Sequence, residues 1–181
     1  MIPALVHDGR KRYAARPPKM PRRYRMISVD IAGTRFNLRA GAIIEHEGKV
    51  LLHRLICDDF WTLPGGRVEP DEEAPKTVER EMLEELGETI HCGEMVMLIE
   101  NFFTTGGKRN HELGLYFQAH LATDSALLGR ATPFVIEDGG SRLEFDWFSR
   151  EQLSELRILP QPMKNMLISE DRSLRHVINR E

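Results

Sequence analysis

The sequence predicts an α/β domain in layers, with a mixed β-sheet covered by helices. Two features of the 181-residue chain indicate this fold class. Strand-like apolar segments lie on both sides of one strong amphipathic helix, and two shorter helical segments follow toward the C-terminus. Such an order favours helices packed on a sheet. The repeated strand–helix–strand pattern that builds a parallel Rossmann-type sheet is absent, and we therefore do not expect that fold.

The strands are predicted by apolar residues bounded by turn-forming residues. They are expected at residues 25–33, in the two halves of 37–55 joined by a turn at 46–49, and at 94–105, 112–121 and 143–148. Residues 129–142 are rich in glycine and polar residues and are expected to form an irregular loop.

The central helix is expected from about Pro75 to Leu86, because proline is favoured in the first turn and Gly87 suits the position just past the end. On a helical wheel, one face collects the residues expected to meet the core: Val78, Met82, Leu83 and Leu86. The stripe beside that face collects four glutamates: Glu81, Glu84, Glu85 and Glu88.

This acidic stripe predicts a metal site. Like charges four residues apart on a helix repel one another, and more so when partly buried. The helix carries Lys76 and Arg80 as its basic residues. A solvated acidic face is the ordinary alternative. However, a glycine-rich and proline-rich loop leads into the helix, and Mg²⁺ prefers clustered carboxylate oxygens that face a phosphate. We therefore predict Mg²⁺ on this helix and a Glu72–Arg80 ion pair that joins loop to helix.

The ends of the chain are expected to lie outside the domain. Residues 1–25 hold eight Lys or Arg against one Asp, and we assign 1–24 to a basic N-terminal extension. Binding of nucleic acid through that charge is not expected, since a solvated extension is more common. The domain is assigned to residues 25–170, in which Ser149 and Gln152 form a capping-box pattern for a helix near 150–156. A further helix is expected at 163–168, and 171–181 are expected to form a C-terminal tail.

Composition excludes several classes of protein. No apolar run approaches the roughly 18 residues that span a bilayer, and the N-terminus lacks the apolar stretch of a signal peptide. Cys57 and Cys92 are too few for a disulfide scaffold and lack metal-ligand spacing. These observations favour a cytoplasmic protein with reduced thiols. His53 and His111 are interpreted as structural, since a lone histidine is more often structural than catalytic.

Eight residues carry a resemblance to a known family. Glycine, glutamate and arginine recur at the strict spacing of the Nudix box, at Gly66, Glu72, Arg80, Glu81, Met82, Glu84, Glu85 and Gly87. The sequence therefore resembles the Nudix hydrolases, and the preceding FWTLP is similar to the usual lead-in. Glu88 stands where the family usually has an apolar residue, and Ile90 is the candidate to pack in its place.

The resemblance implies an α/β/α sandwich with a mixed β-sheet and an enzyme that uses Mg²⁺ or Mn²⁺. Its reaction would be hydrolysis of the pyrophosphate bond in a nucleoside diphosphate linked to another moiety. The resemblance makes Glu84 and Glu85 the main metal ligands, and Glu81 a further ligand or the base that activates water. Glu72 and Arg80 would be a structural pair, and a backbone carbonyl at Gly65 or Gly66 would also meet the metal. A further acid outside the box is expected among four residues, with Glu112 taken as the metal ligand: Glu112, Glu137, Asp138 and Glu144.

Several alternatives stay open. ADP-ribose, an NDP-sugar, a dinucleotide, a modified dNTP or a short prenyl diphosphate could be the substrate, and Phe102, Phe103 and Tyr116 could stack on a base. A non-catalytic nucleotide sensor is the alternative function, although a sensor is expected to lose the box carboxylates. A prenyl diphosphate isomerase is a third reading, for which neither cysteine has a clear role. A homodimer is compatible with the sequence, but no residue indicates one.

Overall fold

The computed structural model of the protein describes residues 26–138, 140–169 and 171–181. The predicted extension at 1–24 therefore lies outside the described residues. Within them, nine strands form one mixed sheet: β1 (Ser28–Ile31), β2 (Thr34–His46), β3 (Lys49–Leu55), β4 (Gly65–Arg67), β5 (Ile90–Thr105), β6 (Lys108–Leu121), β7 (Phe134–Asp138), β8 (Ser141–Ser149) and β9 (Arg175–Arg180). The helices are α1 (Ala74–Leu86), α2 (Arg150–Glu155) and α3 (Gln161–Ser169), with a 3₁₀ turn at Ala126–Gly129.

The sheet has the order β7-β8-β3-β2-β6-β5-β9, with β1 and β4 also paired to β2. The pairs β2–β6 and β5–β9 are parallel, and the other pairs are antiparallel. The long strand β2 changes partner along its length. Residues 39–41 pair with β4, whereas 45–46 pair with β3. Away from the turn between β2 and β3, strand β4 of the glycine-rich segment therefore takes the place of β3 beside β2.

Helices cover both faces of the sheet. Val78 and Met82 of α1 are fully buried in one core, together with Ala40 and Ala42 of β2. On the opposite face, a second core contains residues of α2, α3 and the sheet: Ile43, Ile99, Tyr116, Leu153, Met163 and Met166. This two-sided packing confirms the predicted α/β/α sandwich with a mixed sheet. No helix among the described residues combines the length and the apolar character that crossing a bilayer requires.

Two expectations from the sequence were wrong. Residues 129–142 do not form an irregular loop throughout, because 134–138 and the start of β8 form an antiparallel hairpin. Its strand signal is short, and Phe134 is buried by stacking on Phe145 of the adjacent strand. Residues 171–181 are not a tail, because 175–180 pair in parallel with β5. A short edge strand with polar residues gives little signal in the sequence.

Helix α1 begins one residue earlier than expected and ends as expected. Gly87 adopts φ 71°, and its N–H closes the last turn on the carbonyl of Leu83. The predicted core face was wrong at Leu83, which is 56% exposed, whereas Glu81 and Glu85 are buried. The helix thus turns part of its acidic stripe toward the sheet. Ile90 is buried as expected, and Glu88 accepts a hydrogen bond from Ser125 Oγ at 2.7 Å.

The two predicted C-terminal helices are also present. Ser149 and Gln152 make both hydrogen bonds of the capping box at the start of α2. This box fixes the start of the short helix, because it satisfies backbone N–H groups that have no partner inside the helix. Helix α3 contains the segment expected at 163–168 and is longer than it at both ends.

Candidate active site

Two glycines bring the backbone of β4 against its neighbours. Gly65 has φ 140°, and a Cβ on it would lie 2.2 Å from the carbonyl oxygen of Ala40. A Cβ on Gly66 would lie 2.2 Å from Glu81 Oε1. Both distances are too short for a side chain, so β4 can lie this close to β2 at Gly65, and to the helix at Gly66, only with glycine at these positions. The carboxylate of Glu81 is therefore held directly against the backbone of Gly66.

Arg80 joins the loop to the acidic stripe. The expected pair with Glu72 is present and bidentate: Nε donates to Oε1 at 2.7 Å and Nη2 to Oε2 at 3.0 Å. Arg80 Nη1 donates to Glu81 Oε1 at 2.6 Å and to Glu84 Oε2 at 3.2 Å. Nη2 also reaches the carbonyl of Arg67 at 3.3 Å. The guanidinium of Arg80 thus compensates part of the negative charge for which the sequence analysis predicted a metal ion.

The carboxylate of Glu72 is ionised in this network. Burial raises its pKa, but hydrogen bonds from Arg80, from the backbone N–H of Glu69 and from Thr77 Oγ1 together hold it below its usual range. Thr77 donates at 2.7 Å and Glu69 at 3.0 Å. The pKa of Arg80 is raised, mainly by its hydrogen bonds to Glu72. Loop and helix are thereby locked to each other.

The three glutamates expected to bind metal differ in exposure. Glu81 is 2% and Glu85 8% exposed, whereas the side chain of Glu84 is 42% exposed. Among the residues that the structure describes, no three His, Cys, Asp or Glu side chains lie close enough together to hold an ion. The guanidinium of Arg80 lies between Glu81 and Glu84, which accounts for part of this separation.

The donor set nevertheless fits a hard divalent cation. It consists of carboxylate oxygens on one helix face, and the missing Cβ of Gly66 leaves the loop backbone open beside Glu81. The contact of Arg80 with Glu84 is the longest that it makes to a carboxylate of the stripe, and it is partly exposed to solvent. Such a contact contributes little free energy, so a cation can replace it at small cost.

A histidine that the sequence analysis interpreted as structural lies at this site. His53 on β3 is 5% exposed, and its Nδ1 lies 3.9 Å from Glu85 Oε2. Its burial and the positive charge of Arg39 lower its pKa to about 3, so the imidazole is neutral near pH 7. The period of two along β3 places it on the side of Leu51, which packs in the core beneath α1. The alternation of side chains along β3 could therefore have predicted that His53 lies on the face covered by α1.

The structure does not bring Glu112 to the stripe. Glu112 on β6 points to the same face as Tyr116, which belongs to the core opposite α1. There it lies in register with Asn37 on β2 and Asn101 on β5. Of the other acids proposed outside the box, Glu144 pairs with Arg54 at 2.6 Å, and Glu137 is exposed on β7, which ends at Asp138.

A cavity of about 550 Å³ opens on the face that carries Glu112. Arg39, which lines it, donates from Nη2 to the carbonyl of Gly65 at 3.0 Å, so the cavity extends to the glycine-rich loop. Its other walls include Phe60, Phe103, Tyr116 and Arg157. Phe102 does not line this cavity. Its ring stacks on that of His111, with 4.3 Å between the ring centroids, and the guanidinium of Arg180 lies over it.

Comparison with known proteins supports the family resemblance that the Nudix box indicated. The NUDIX domain model matches residues 35–168. The CTP pyrophosphohydrolase of Escherichia coli (strain K12) is 42% identical over 59 residues, which make up 30% of this chain and 44% of that protein. The match thus spans less than half the length of this relative.

Solved structures share the fold at low identity. A NUDIX hydrolase from Nitrosomonas europaea superposes with a TM-score of 0.57 at 22% identity, over 80% of this chain and 79% of that chain. A MutT protein from Bacillus halodurans gives 0.58 at 18% identity, over 79% and 89%. An ADP-ribose pyrophosphatase from Streptococcus suis gives 0.54 at 17% identity, over 78% and 98%. At these identities the likeness establishes the fold.

Proposed function

Because the chain belongs to the Nudix family, we propose that it hydrolyses the pyrophosphate bond of a nucleoside diphosphate linked to another moiety, with Mg²⁺ as the cofactor. The observation that carries this proposal is the burial of Glu81 and Glu85 on a helix face that a glycine-rich loop approaches directly. Burying carboxylates is costly unless a cation compensates them. Arg80 supplies part of that compensation, and a divalent ion bound to the same carboxylates would add to it.

Glu81, Glu84, Glu85 and a backbone carbonyl at Gly65 or Gly66 would hold the ion, and Mn²⁺ could replace Mg²⁺. When bound, such an ion neutralises the charge of a diphosphate and makes water a better nucleophile. Glu84, the most exposed of the three, is the glutamate that would exchange Arg80 for the ion.

The side chains carry out the other steps of the proposed reaction. The Glu72–Arg80 pair holds the loop and Glu81 in place. Glu81, if it is not itself a ligand, accepts the proton of the attacking water. The water oxygen bonds to one phosphorus as the bridging P–O bond breaks, and the bridging oxygen leaves with the other phosphate. Two phosphorylated products result, one of them a nucleoside monophosphate where the bond at its α-phosphorus breaks.

The nucleoside would occupy the cavity beside the loop. Phe103 on its wall can contact a base, whereas the ring of Tyr116 is buried in the core beneath the cavity. Arg39 lies between the cavity and the loop. CTP is the first candidate to test, because the relative from Escherichia coli is a CTP pyrophosphohydrolase. ADP-ribose, an NDP-sugar, a dinucleotide and a modified dNTP are the other candidates.

We place this activity in the cytoplasm, on the grounds of the two free cysteines and the nucleotide substrate. The small-molecule substrate is the main partner, and nucleic acid is not an expected partner. A homodimer stays a prediction, which size-exclusion chromatography with light scattering would test.

The test is product release from a panel of these compounds, with MgCl₂ and with EDTA. We expect turnover of at least one compound, and we expect EDTA and the Glu85→Gln substitution each to abolish it. A protein that binds Mg²⁺ but is silent across the panel would favour the nucleotide sensor instead.

A further inference from the structure

A row of polar side chains crosses the sheet on the face that holds the proposed nucleoside cavity. Four residues in register on neighbouring strands form it: Asn37 of β2, Glu112 of β6, Asn101 of β5 and Asn179 of β9. The three asparagines are between 2% and 9% exposed. The two middle members, Glu112 and Asn101, line the cavity. Because a buried polar group is costly unless it is hydrogen-bonded, the partners of these two side chains indicate what the cavity is built to bind.

Hydrogen bonds fix the orientation of the Asn101 amide. Asn179 Nδ2 donates to Glu181 Oε1 at 2.9 Å, which requires the nitrogen of Asn179 at this position because a carboxylate oxygen accepts. The same Nδ2 donates to Asn101 Oδ1 at 2.8 Å, so the oxygen of Asn101 faces β9. The Nδ2 of Asn101 therefore faces the opposite way, toward the strand of Glu112. Within the part of the chain that the structure describes, this Nδ2 makes no hydrogen bond.

Glu112 places an acceptor beside this donor. It lies directly opposite Asn101 in the antiparallel pair β5–β6, where the Cβ atoms of opposite residues are about 4.5–5.5 Å apart. Its carboxylate makes no hydrogen bond or ion pair among the described residues, and therefore none to Asn101. A ligand that presents an acceptor next to a donor can bond to both groups. The edge of a nucleobase has this pattern, whereas a phosphate presents acceptors alone and a prenyl chain presents neither.

Phe103 places a base within reach of the pair. Phe103 lines the same cavity and lies two residues after Asn101 on β5, so both side chains point to the same face. Two residues along a strand span about 7 Å, which is close to the width of a base. A base that stacks on the ring of Phe103 therefore directs an edge toward Asn101 and Glu112.

We propose that Asn101 and Glu112 are specificity-determining residues that read the edge of the nucleobase. Asn101 Nδ2 donates to an acceptor of the base, and Glu112 accepts from the adjacent N–H. Asn179 is a positioning residue that holds the Asn101 amide in this orientation. The pair distinguishes an amino base from the matching oxo base, because the two exchange donor and acceptor along a similar ring edge. The proposal rests on the proposed function, in which this cavity holds the nucleoside.

The experiment measures binding of CMP, UMP, AMP and GMP to the full chain by calorimetry in EDTA, so that metal ions play no part. The wild-type Kd values within at least one pair, CMP and UMP or AMP and GMP, should differ by about 5- to 150-fold, the discrimination typical of a good pair of hydrogen bonds to a base. Asn101→Asp keeps an acceptor for Asn179 but turns a second acceptor toward the base. It should weaken binding of the preferred nucleotide and bring the two Kd values close together. Asn110→Asp is the matched control, because Asn110 is equally buried, bonds to the carbonyl of Lys108 at 2.9 Å and does not line this cavity. It should keep the wild-type ratio.

Equal Kd values within both pairs, no binding of any of the four nucleotides, or a folded Asn101→Asp variant with the wild-type ratio would each overturn the proposal. If that variant does not fold, Glu112→Leu decides the question in the same way, because it removes the acceptor at a partly exposed position. Calorimetry needs no turnover, so selective binding by a chain that hydrolyses nothing counts against the proposed function alone. Hydrolysis without selectivity for the base counts against this proposal alone.

Discussion

Replacing Arg80 by Gln should destabilise the protein far more than a single surface substitution does. The guanidinium is bidentate to Glu72 and donates to Glu81 at 2.6 Å. The side chains of Glu72 and Glu81 are 16% and 3% exposed. Removing one partner of a buried pair typically costs about 3–5 kcal/mol, because the other charge stays buried. Glu84 is 42% exposed, and its contact adds at most about 0.5 kcal/mol.

Since Glu72 is partly solvated, we expect the lower end of that range, about 3 kcal/mol. For a chain of this length, this loss corresponds to a fall in Tm of roughly 6–12 °C. Urea unfolding at pH 7 measures the free energy of unfolding directly. Lys76→Gln is the matched control, because Lys76 is a basic residue on the same helix with a partner, Glu79, at 2.7 Å. Its side chain is 64% exposed, so it should cost no more than about 1 kcal/mol.

The pH dependence provides a second test of the same reasoning. In the folded protein the pKa of Glu72 is held below its ordinary value of 4.5. The stability that this carboxylate contributes is therefore present above pH 4.5 and is lost as the pH falls through the folded pKa. Without Arg80 the folded pKa should rise, so the stability of Arg80→Gln should fall less steeply below pH 4.5. Equal losses for the Arg80 and Lys76 variants, with parallel pH profiles, would refute the argument.

Four further predictions follow from the site. Glu85→Gln should lower kcat by at least about 100-fold with an unchanged circular dichroism spectrum, because it removes the charge of a proposed metal ligand; near-normal kcat would exclude that role. Gly66→Ala places a Cβ 2.2 Å from Glu81 Oε1 and should cost about 1–3 kcal/mol in urea unfolding and most of the activity. His53→Leu should flatten the stability profile between pH 6.5 and pH 3, because the wild type loses stability as the pH falls through this window. Phe103→Ala should raise KM by about 5- to 100-fold if a base stacks there, and an unchanged KM would place the base elsewhere.

The parts of the site that are local in sequence could be predicted from it. The spacing of Glu72 and Arg80 indicated a pair between loop and helix, and Pro75 and Gly87 indicated the ends of α1. Backbone preferences and contacts between near neighbours decide such features, so the sequence contains most of the information. The hairpin of β2 and β3 belongs to the same class, since its turn and its apolar alternation lie in one continuous segment.

Features that depend on distant segments could not be predicted. A helical wheel assigns Leu83 to the core, but it cannot show that Gly66 leaves room for Glu81 and so turns the acidic stripe inward. Strand period alone shows that Phe102 and Phe103 face opposite sides, but not which side holds the cavity. Strand β9 was missed because its partner, β5, lies about 75 residues earlier in the chain.

The glutamates of the acidic stripe contribute both to stability and to the proposed chemistry. The hydrogen bonds of Arg80 to Glu72 and Glu81 join the loop to the helix, so these two carboxylates stabilise the fold even without an ion. Glu84 is 42% exposed, and its contact with Arg80 contributes little free energy. A cation can therefore replace Arg80 at Glu84 with little cost to the fold. This arrangement explains how one helix can carry like charges into a buried position and still present a carboxylate that can exchange its partner.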